Sequence, residues 1–402
     1  MKILWVKTDF LHPTNRGGQI RSLETLRQLH LNHEVHYVAY DDPAQPEGLR
    51  RASEYSFRAY PVNRPIPSRG SPRFFGQLAL NLVSHLPLAV GRYASVEMRE
   101  QVASLLRAHR FDSVVCDFLS VAPNIPDLSR SVLFQHNVET VIWRRHAEHA
   151  ASPLRRAYFR LQAKRMFHCE RDACRSAAHI VAVSENDAAQ MKELFGVTRV
   201  SAISTGVDVE YFARPVGRAN PPGQPRGIVF LGAMDWMPNI DGARWFIQQV
   251  LPLIRKKRPG VPLVLAGRSP VPELQAFAAA DPLTQVTGTV PDVRPYLWDA
   301  TVSIVPLRIG GGTRLKIYEA MAAGVPVVST TIGAEGLAVK DSANIFLADT
   351  PELFASRCLA LLESQEQAKT LAGAALSLVT ERFSWAQVGR QFESILKTAC
   401  AA

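Results

Sequence analysis

Cysteine is scarce in this chain and forms no pattern: Cys116, Cys169, Cys174, Cys358 and Cys400 are scattered, odd in number and lack metal-ligand spacing. That argues against a disulfide framework or a zinc ribbon, and predicts reduced thiols, mostly in the core, in a cytoplasmic setting. Long apolar runs are missing too. None approaches the ~18 residues that cross a bilayer, and residues 1–6 are followed at once by Lys7, Asp9 and other polar side chains. Neither a spanning helix nor an export signal is therefore expected. No Gly-x-Gly-x-x-Gly follows a candidate opening strand, which counts against a nicotinamide-dependent oxidoreductase.

Acidic residues are outnumbered, and the imbalance is local. Of a formal net charge of +10, residues 144–175 supply +6, with nine Arg or Lys against three acids. Interleaved with Leu154, Tyr158, Phe159, Leu161, Met166 and Phe167, the run has the pattern of an amphipathic helix. It is either a solvated connecting helix or a peripheral contact for anionic headgroups at the inner face of a membrane, or for an acidic acceptor. No nucleic-acid-binding motif accompanies the charge, so no nucleic acid partner is expected.

Short β-rich runs alternate with helical ones at 3–6, 34–39, 113–115, 132–134, 179–183 and 200–203, the pattern of a covered parallel sheet. A Pro/Gly/Arg-rich segment at 213–226 can hold neither helix nor central strand. A second alternation follows at 228–231, 262–266, 285–287, 302–305, 326–329 and 344–347. The expected organisation is a first Rossmann-like domain over 1–212, a linker over 213–226 and a second such domain over 227–382. The closing segment 383–397 carries an apolar stripe at Trp385, Val388, Phe392, Ile395 and Leu396, predicting a helix.

The densest chemistry lies at 306–330. A strand end leads into Gly310, Gly311 and Gly312, and a helix is expected from about Thr313, with its free N–H groups aimed at the loop. Arg314 and Lys316 fall in the first helical turn, where positive side chains oppose the helix dipole unless an anion supplies the balance. A diphosphate fits that layout. Glu319, three residues after Lys316, shares its helix face and is either a ligand contact or Lys316's ion-pair partner.

The run Glu319-Ala-Met-Ala-Ala-Gly-Val-Pro-Val-Val328 resembles the signature of the family 4 glycosyltransferases. The resemblance implies the α/β GT-B fold, two Rossmann-like domains facing across a cleft, with the last helix crossing back onto the first domain, the acceptor-binding one. It implies metal-independent, retaining transfer from a nucleotide sugar, a UDP- or GDP-sugar, to a hydroxyl of a carbohydrate or lipid-linked acceptor in polysaccharide or glycolipid assembly. No cofactor or metal is implied. Arg314 and Lys316 would stabilise the leaving phosphate, Gly311, Gly312 and Thr313 would donate N–H groups, and Glu319 would accept from the ribose hydroxyls.

Two departures stand out. Many members carry a second glutamate eight positions before the Glu319 equivalent, where this chain has Gly311. Where many place an Arg and a Lys after the first strand of the nucleotide domain, this chain has Trp236-Met237-Pro238-Asn239. A branch of the family pairs that pattern with cations at Thr-Arg-x-Lys, matched by Thr313, Arg314 and Lys316. A non-catalytic nucleotide-sugar binder is the alternative that Gly311 leaves open.

In the first domain, Gly17 and Gly18 precede a helix and would approach the donor phosphate by the same resemblance, with Arg21 one turn on, assisting or solvated. His136 follows the 131–134 strand at its carboxyl end, the ligand-binding edge of open α/β sheets. It either contacts the transferred sugar or caps the helix after it. His12 and the other histidines have no comparable placement, and most are expected at the surface. Gly267, Arg268 and 288–292 follow successive strands and are expected to cradle the base by backbone, and Asp208 is expected to have a structural role.

Overall fold

β-branched runs too short for helices set the architecture, and the central strands are buried on both faces because helices cover the sheet from both sides. The computed structural model describes residues 1–14, 17–64, 66–67, 71–148, 150, 152–218, 227–309 and 315–401. The chain divides into two units, Met1–Thr205 with Trp385–Ala402, and Gly206–Ser384.

The first unit holds a seven-stranded parallel sheet: β1 (Lys2–Val6), β2 (Glu34–Tyr40), β3 (Arg58–Val62), β4 (Ser113–Asp117), β5 (Ser131–Gln135), β6 (His179–Ala182) and β7 (Val200–Ala202). Their order is β3-β2-β1-β4-β5-β6-β7, which reverses direction at β1 and opens the crevice outside the strand ends there. β3 is the one strand of this sheet absent from the sequence expectation. It is an edge strand with Pro61 and an exposed Arg58, tolerated because only one side needs a partner.

The second unit holds a six-stranded parallel sheet: β8 (Ile228–Leu231), β9 (Leu263–Ala266), β10 (Thr284–Val286), β11 (Val302–Val305), β12 (Val327–Ser329) and β13 (Phe346–Leu347), in the order β10-β9-β8-β11-β12-β13. Seven helices matter for function: α1 (Gly17–His30), α2 (Pro72–Asn81), α3 (Glu139–Glu148), α4 (Pro153–Ser176), α5 (Met237–Trp245), α6 (Leu315–Ala322) and α7 (Trp385–Ala401).

As expected, the last helix returns to the first unit. In α7, Trp385, Val388, Phe392 and Leu396 join the core around Trp5 and Phe134, with the Phe392 ring centroid 5.5 Å from that of Trp5 and 5.0 Å from that of Phe134. Gly389 lets α7 close on α1, since a Cβ there would overlap Gln28. Residues 206–212 pack with the second unit: Phe212 lies in its core, its carbonyl accepts from Trp298 Nε1 at 2.8 Å, and Asp208 caps the turn by accepting from Tyr211 N at 2.9 Å. The two units divide at Gly206, and residues 219–226 of the expected linker lie outside the described residues. Cys116, Cys174 and Cys358 are buried free thiols, and Cys169 is half-buried.

Candidate active-site residues

Two neighbouring strand ends in the second unit make a cavity of about 560 Å³, bordered by Gly232, Trp236, Arg268, Lys316 and Glu319. Glycine is required at Gly267, and at Gly232 it keeps the strand end clear of the side chains beside it. A Cβ on Gly267 would overlap the Gly232 carbonyl, and one on Gly232 would sit 2.6 Å from Asn239 Nδ2 and 2.8 Å from Lys316 Nζ. That space lets Lys316 reach back from α6 over the end of β8. Its ammonium donates to Asn239 Oδ1 at 2.8 Å and lies 4.7 Å from the centroid of the Phe230 ring. Asn239, buried on α5, is itself oriented by donating from Nδ2 to Ala233 O at 2.8 Å.

Lys316 and Glu319 share a helix face, and among the described residues the Lys316 ammonium donates to Asn239 while its charge acts on the Glu319 carboxyl. The Glu319 carboxylate is half-buried and accepts no hydrogen bond among the described residues. Burial raises its pKa, and the Lys316 charge offsets only part of that rise. Gly311, Gly312, Thr313 and Arg314 lie outside the described residues. Gly267, Arg268, Thr289 and Val290 all border the cavity, where backbone was expected to meet a base. Asn239 was missed as an individual residue; its signal was the Trp236-x-Pro-Asn239 pattern.

In the first unit, His136 ends a buried polar chain. Its Nε2 is 2.8 Å from Asp117 Oδ1, and Asp117 Oδ2 receives Trp5 Nε1 at 2.9 Å, Ser22 Oγ at 2.6 Å and the Lys7 ammonium at 3.0 Å. Burial alone would raise the Asp117 pKa, but Lys7, His136 and the Ser22 hydroxyl hold it well below the carboxylate range. Burial pushes His136 down to about 4 despite the pull of Asp117. Near neutral pH the pair is therefore a carboxylate and a neutral imidazole. The proton sits on Nε2, facing Asp117, and Nδ1 is left as an acceptor. That Nδ1 is buried with no hydrogen-bond partner among the described residues.

The Phe118 ring stacks on His136, 3.9 Å between centroids and 5° from parallel, and the Lys7 ammonium lies 4.3 Å from its centre. Phe118 holds φ 78 and ψ 146, a backbone region otherwise used by glycine, so this stack is made at a strained residue. Gly18 completes the wall: a Cβ there would stand 2.8 Å from the Phe118 ring and 3.5 Å from His136 Nδ1. Gly17, at the first turn of α1, is exposed with open space around it.

The capping role considered for His136 belongs elsewhere. Glu170, reaching from α4, accepts from Glu139 N at 2.9 Å, Thr140 N at 2.7 Å, Thr140 Oγ1 at 2.6 Å and Gln135 Nε2 at 3.0 Å. It caps α3 in trans and pins both sides of the His136 turn. Arg21 is buried, not solvated: 8% of its surface is exposed, its Nε has no partner among the described residues, and burial lowers it to about 10. His12 and His36 are also buried, against the surface expectation. They contact Glu54 at 3.3 Å and Glu34 at 2.7 Å.

Comparison with known proteins matches two family models to successive parts of the chain. Residues 16–211 match the family described as Glycosyltransferase Family 4, and residues 225–364 match Glycosyl transferases group 1. A Klebsiella pneumoniae protein described as an uncharacterized 44.6 kDa protein in the cps region is 22% identical over 98% of this chain and 99% of its own length. Among solved structures, Anabaena HepE in complex with UDP matches with a TM-score of 0.65 at 14% identity, covering 99% of this chain and all of that one. Sucrose-phosphate synthase from Thermosynechococcus elongatus matches with a TM-score of 0.67 at 15% identity, covering 100% of this chain and 99% of that one. A point mutant of S. aureus TarM, in complex with fondaparinux, α-GlcNAc-glycerol and UDP, matches with a TM-score of 0.61 at 12% identity, covering 98% of this chain and 100% of that one. The chain belongs to the group 1, family 4 glycosyltransferases, retaining enzymes of the GT-B fold that use nucleotide-sugar donors.

Proposed function

We propose that the second unit's cavity binds a UDP- or GDP-sugar and that the enzyme moves the sugar, without a metal, to a hydroxyl in polysaccharide or glycolipid assembly. The observation that carries this is the Lys316 ammonium, held by Asn239 beside the cavity with the Glu319 carboxylate one turn away. Breaking the bond between the anomeric carbon and the diphosphate puts negative charge on the β-phosphate. A fixed ammonium stabilises that charge without reorganisation, and Arg314 with the N–H groups of Gly311, Gly312 and Thr313 would add to it. Glu319 accepts from the ribose hydroxyls. As the bond to the diphosphate weakens, the departing phosphate oxygen takes the acceptor hydroxyl's proton while that hydroxyl's oxygen attacks the anomeric carbon from the same face.

His136 serves the first unit's share of the reaction. With Nε2 held by Asp117, its Nδ1 accepts a hydrogen bond from a hydroxyl of the transferred sugar, while the Gly17–Gly18 turn approaches the phosphate. The HepE structures are described as complexes with UDP, with UDP-glucose, and with UDP and glucose, which favours a uridine donor. The acceptor is a carbohydrate or lipid-linked saccharide. We assign the basic stretch 144–175 to contact with an anionic membrane at the cytoplasmic face.

Incubating the protein with a panel of nucleotide sugars in the presence of a chelator, and following thermal shift and released nucleoside diphosphate, tests this reading. One donor should both raise the melting temperature and be turned over. Stabilisation without release of nucleotide would instead favour the non-catalytic binder suggested by Gly311.

A further inference from the structure

We propose that α2 and the N-terminal half of α4 form a single membrane-docking surface, with α2 placing apolar side chains among the lipids while α4 holds anionic headgroups. The inference rests on the reading of 144–175 as membrane-facing. It adds a second element that carries almost no charge and a different mode of attachment.

α2 is apolar on its exposed side as well as on the side it covers, where Phe74 and Leu78 are half-buried. Helices of a globular surface turn their apolar stripe to the core, yet here Phe75 is 59% exposed and Leu80 is 72% exposed, and Leu82 and Val83 just beyond are 55% and 84% exposed. From Pro72 to Val83 the only charged residue is Arg73. Four large apolar side chains within nine residues make a patch of the kind that marks an interaction site.

Its position on the fold is set by α4. Asn81, the last residue of α2, accepts from Gln162 Nε2 at 2.8 Å through Oδ1, and from Arg165 Nη1 at 2.6 Å through its carbonyl. Arg165 Nη2 also donates to Leu82 O at 2.8 Å. The apolar end of α2 is thereby fastened to the middle of the basic helix. On α4 itself, Leu154, Leu161 and Lys164 repeat at helical spacing along an exposed stripe flanked by the exposed Arg155, Arg156 and Arg160. At 1.5 Å per residue, the stretch from Leu154 to Arg165 is about 16 Å long and that from Phe75 to Asn81 about 9 Å, and the bonds from Gln162 and Arg165 to Asn81 and Leu82 hold the two side by side, within reach of one lipid surface.

The occupant is a bilayer with anionic lipid. Lys and Arg beside exposed apolar side chains are the two halves of interfacial binding, in which apolar groups sink about 5–10 Å to the acyl boundary while cations hold headgroups. An acidic polysaccharide would satisfy the arginines and leave Leu80, Leu82 and Val83 in water. A second copy of this chain on the same patch would bring two stretches of +6 together.

The test is co-sedimentation of the full chain with phosphatidylcholine vesicles, with and without phosphatidylglycerol. Two variants are compared: Leu80→Ser/Leu82→Ser/Val83→Ser, and Arg155→Glu/Arg160→Glu. All five positions are exposed, and thermal unfolding checks the fold. The wild type should sediment only with anionic vesicles, and each variant should bind about tenfold more weakly. In a third protein, Phe75→Trp, the added emission over wild type should shift blue on vesicle addition. If the arginine reversals abolish binding while the α2 variant binds normally and Trp emission does not move, the inference is overturned and the basic stretch alone meets the membrane. If the wild type binds no vesicle, both the inference and the membrane reading fall, with donor turnover untouched. Retention of the wild type and the α2 variant alike on dextran sulfate, without vesicle binding, would assign the surface to an acidic polymer.

Discussion

His136 Nε2 lies 2.8 Å from Asp117 Oδ1, and that contact decides which ring nitrogen keeps a lone pair free to accept. Because Asp117 stays ionised beside Lys7, it accepts a hydrogen bond from Nε2–H and leaves Nδ1 as the acceptor. Replacing His136 with Ala should depress turnover strongly while nucleoside diphosphate binding, assigned to the second unit, stays near normal. The helix after it keeps its cap from Glu170, so the melting temperature should change little on that account. Turnover and affinity measured on one preparation check this, and near-normal turnover removes His136 from the chemistry.

The same environment gives a signed pH effect. His136 titrates near 4 in the folded chain against 6.5 ordinarily, so between those values the unfolded chain binds the extra proton. Stability from this residue therefore rises with pH across the window and is lost on acidification from 6.5 toward 4, by up to about 3 kcal/mol. His12, His33 and His36, all lowered by burial, add to the wild-type slope. His136→Asn, which keeps a donor for Asp117, should flatten the slope relative to wild type in urea unfolding at a series of pH values. Parallel slopes would contradict the assignment of a neutral buried imidazole.

Asp117→Ala should be the most damaging single change in the first unit. It leaves the Lys7 ammonium, 1% exposed, without its counter-charge. Removing one partner of a buried ion pair costs about 3–5 kcal/mol. Chemical denaturation should show that loss, whereas a change under about 1 kcal/mol would mean that Lys7 finds another acceptor.

Glu319→Gln should keep phosphate recognition and lose preference for a ribonucleotide over its 2′-deoxy counterpart, because an amide oxygen accepts more weakly than a carboxylate. Competition between the two nucleotides reads this out. An unchanged preference would return Glu319 to a structural role.

Much of this was legible in the sequence, for identifiable reasons. Strands buried on both faces read as β-branched runs, which gave both sheets apart from β3, whose Pro61 and Arg58 suit only an edge. β4 and β5 run on to Asp117 and Gln135, polar ends that apolar runs cannot reveal. His136 was legible because its place after a strand is a local property. Its partners were not: Asp117 lies 19 residues away, and the Glu170 that caps α3 lies 30 residues from Thr140. Asn239 is 77 residues from the Lys316 it holds. Contacts of that kind are made by the sheet order and leave no periodic trace in the chain. The exposed face of α2 was hidden for the opposite reason, since an apolar run read alone looks like core.

The most direct test of the central claim is calorimetric titration of UDP and GDP into wild type, Lys316→Ala and Asn239→Ala in the presence of a chelator. The account predicts that one nucleotide binds the wild type without metal. Lys316→Ala should then lose about 1.5–3 kcal/mol of binding, as expected for a charge-assisted phosphate contact, and Asn239→Ala about 1 kcal/mol, through a misplaced ammonium. Equal affinity in all three proteins would place the diphosphate away from Lys316 and contradict the account.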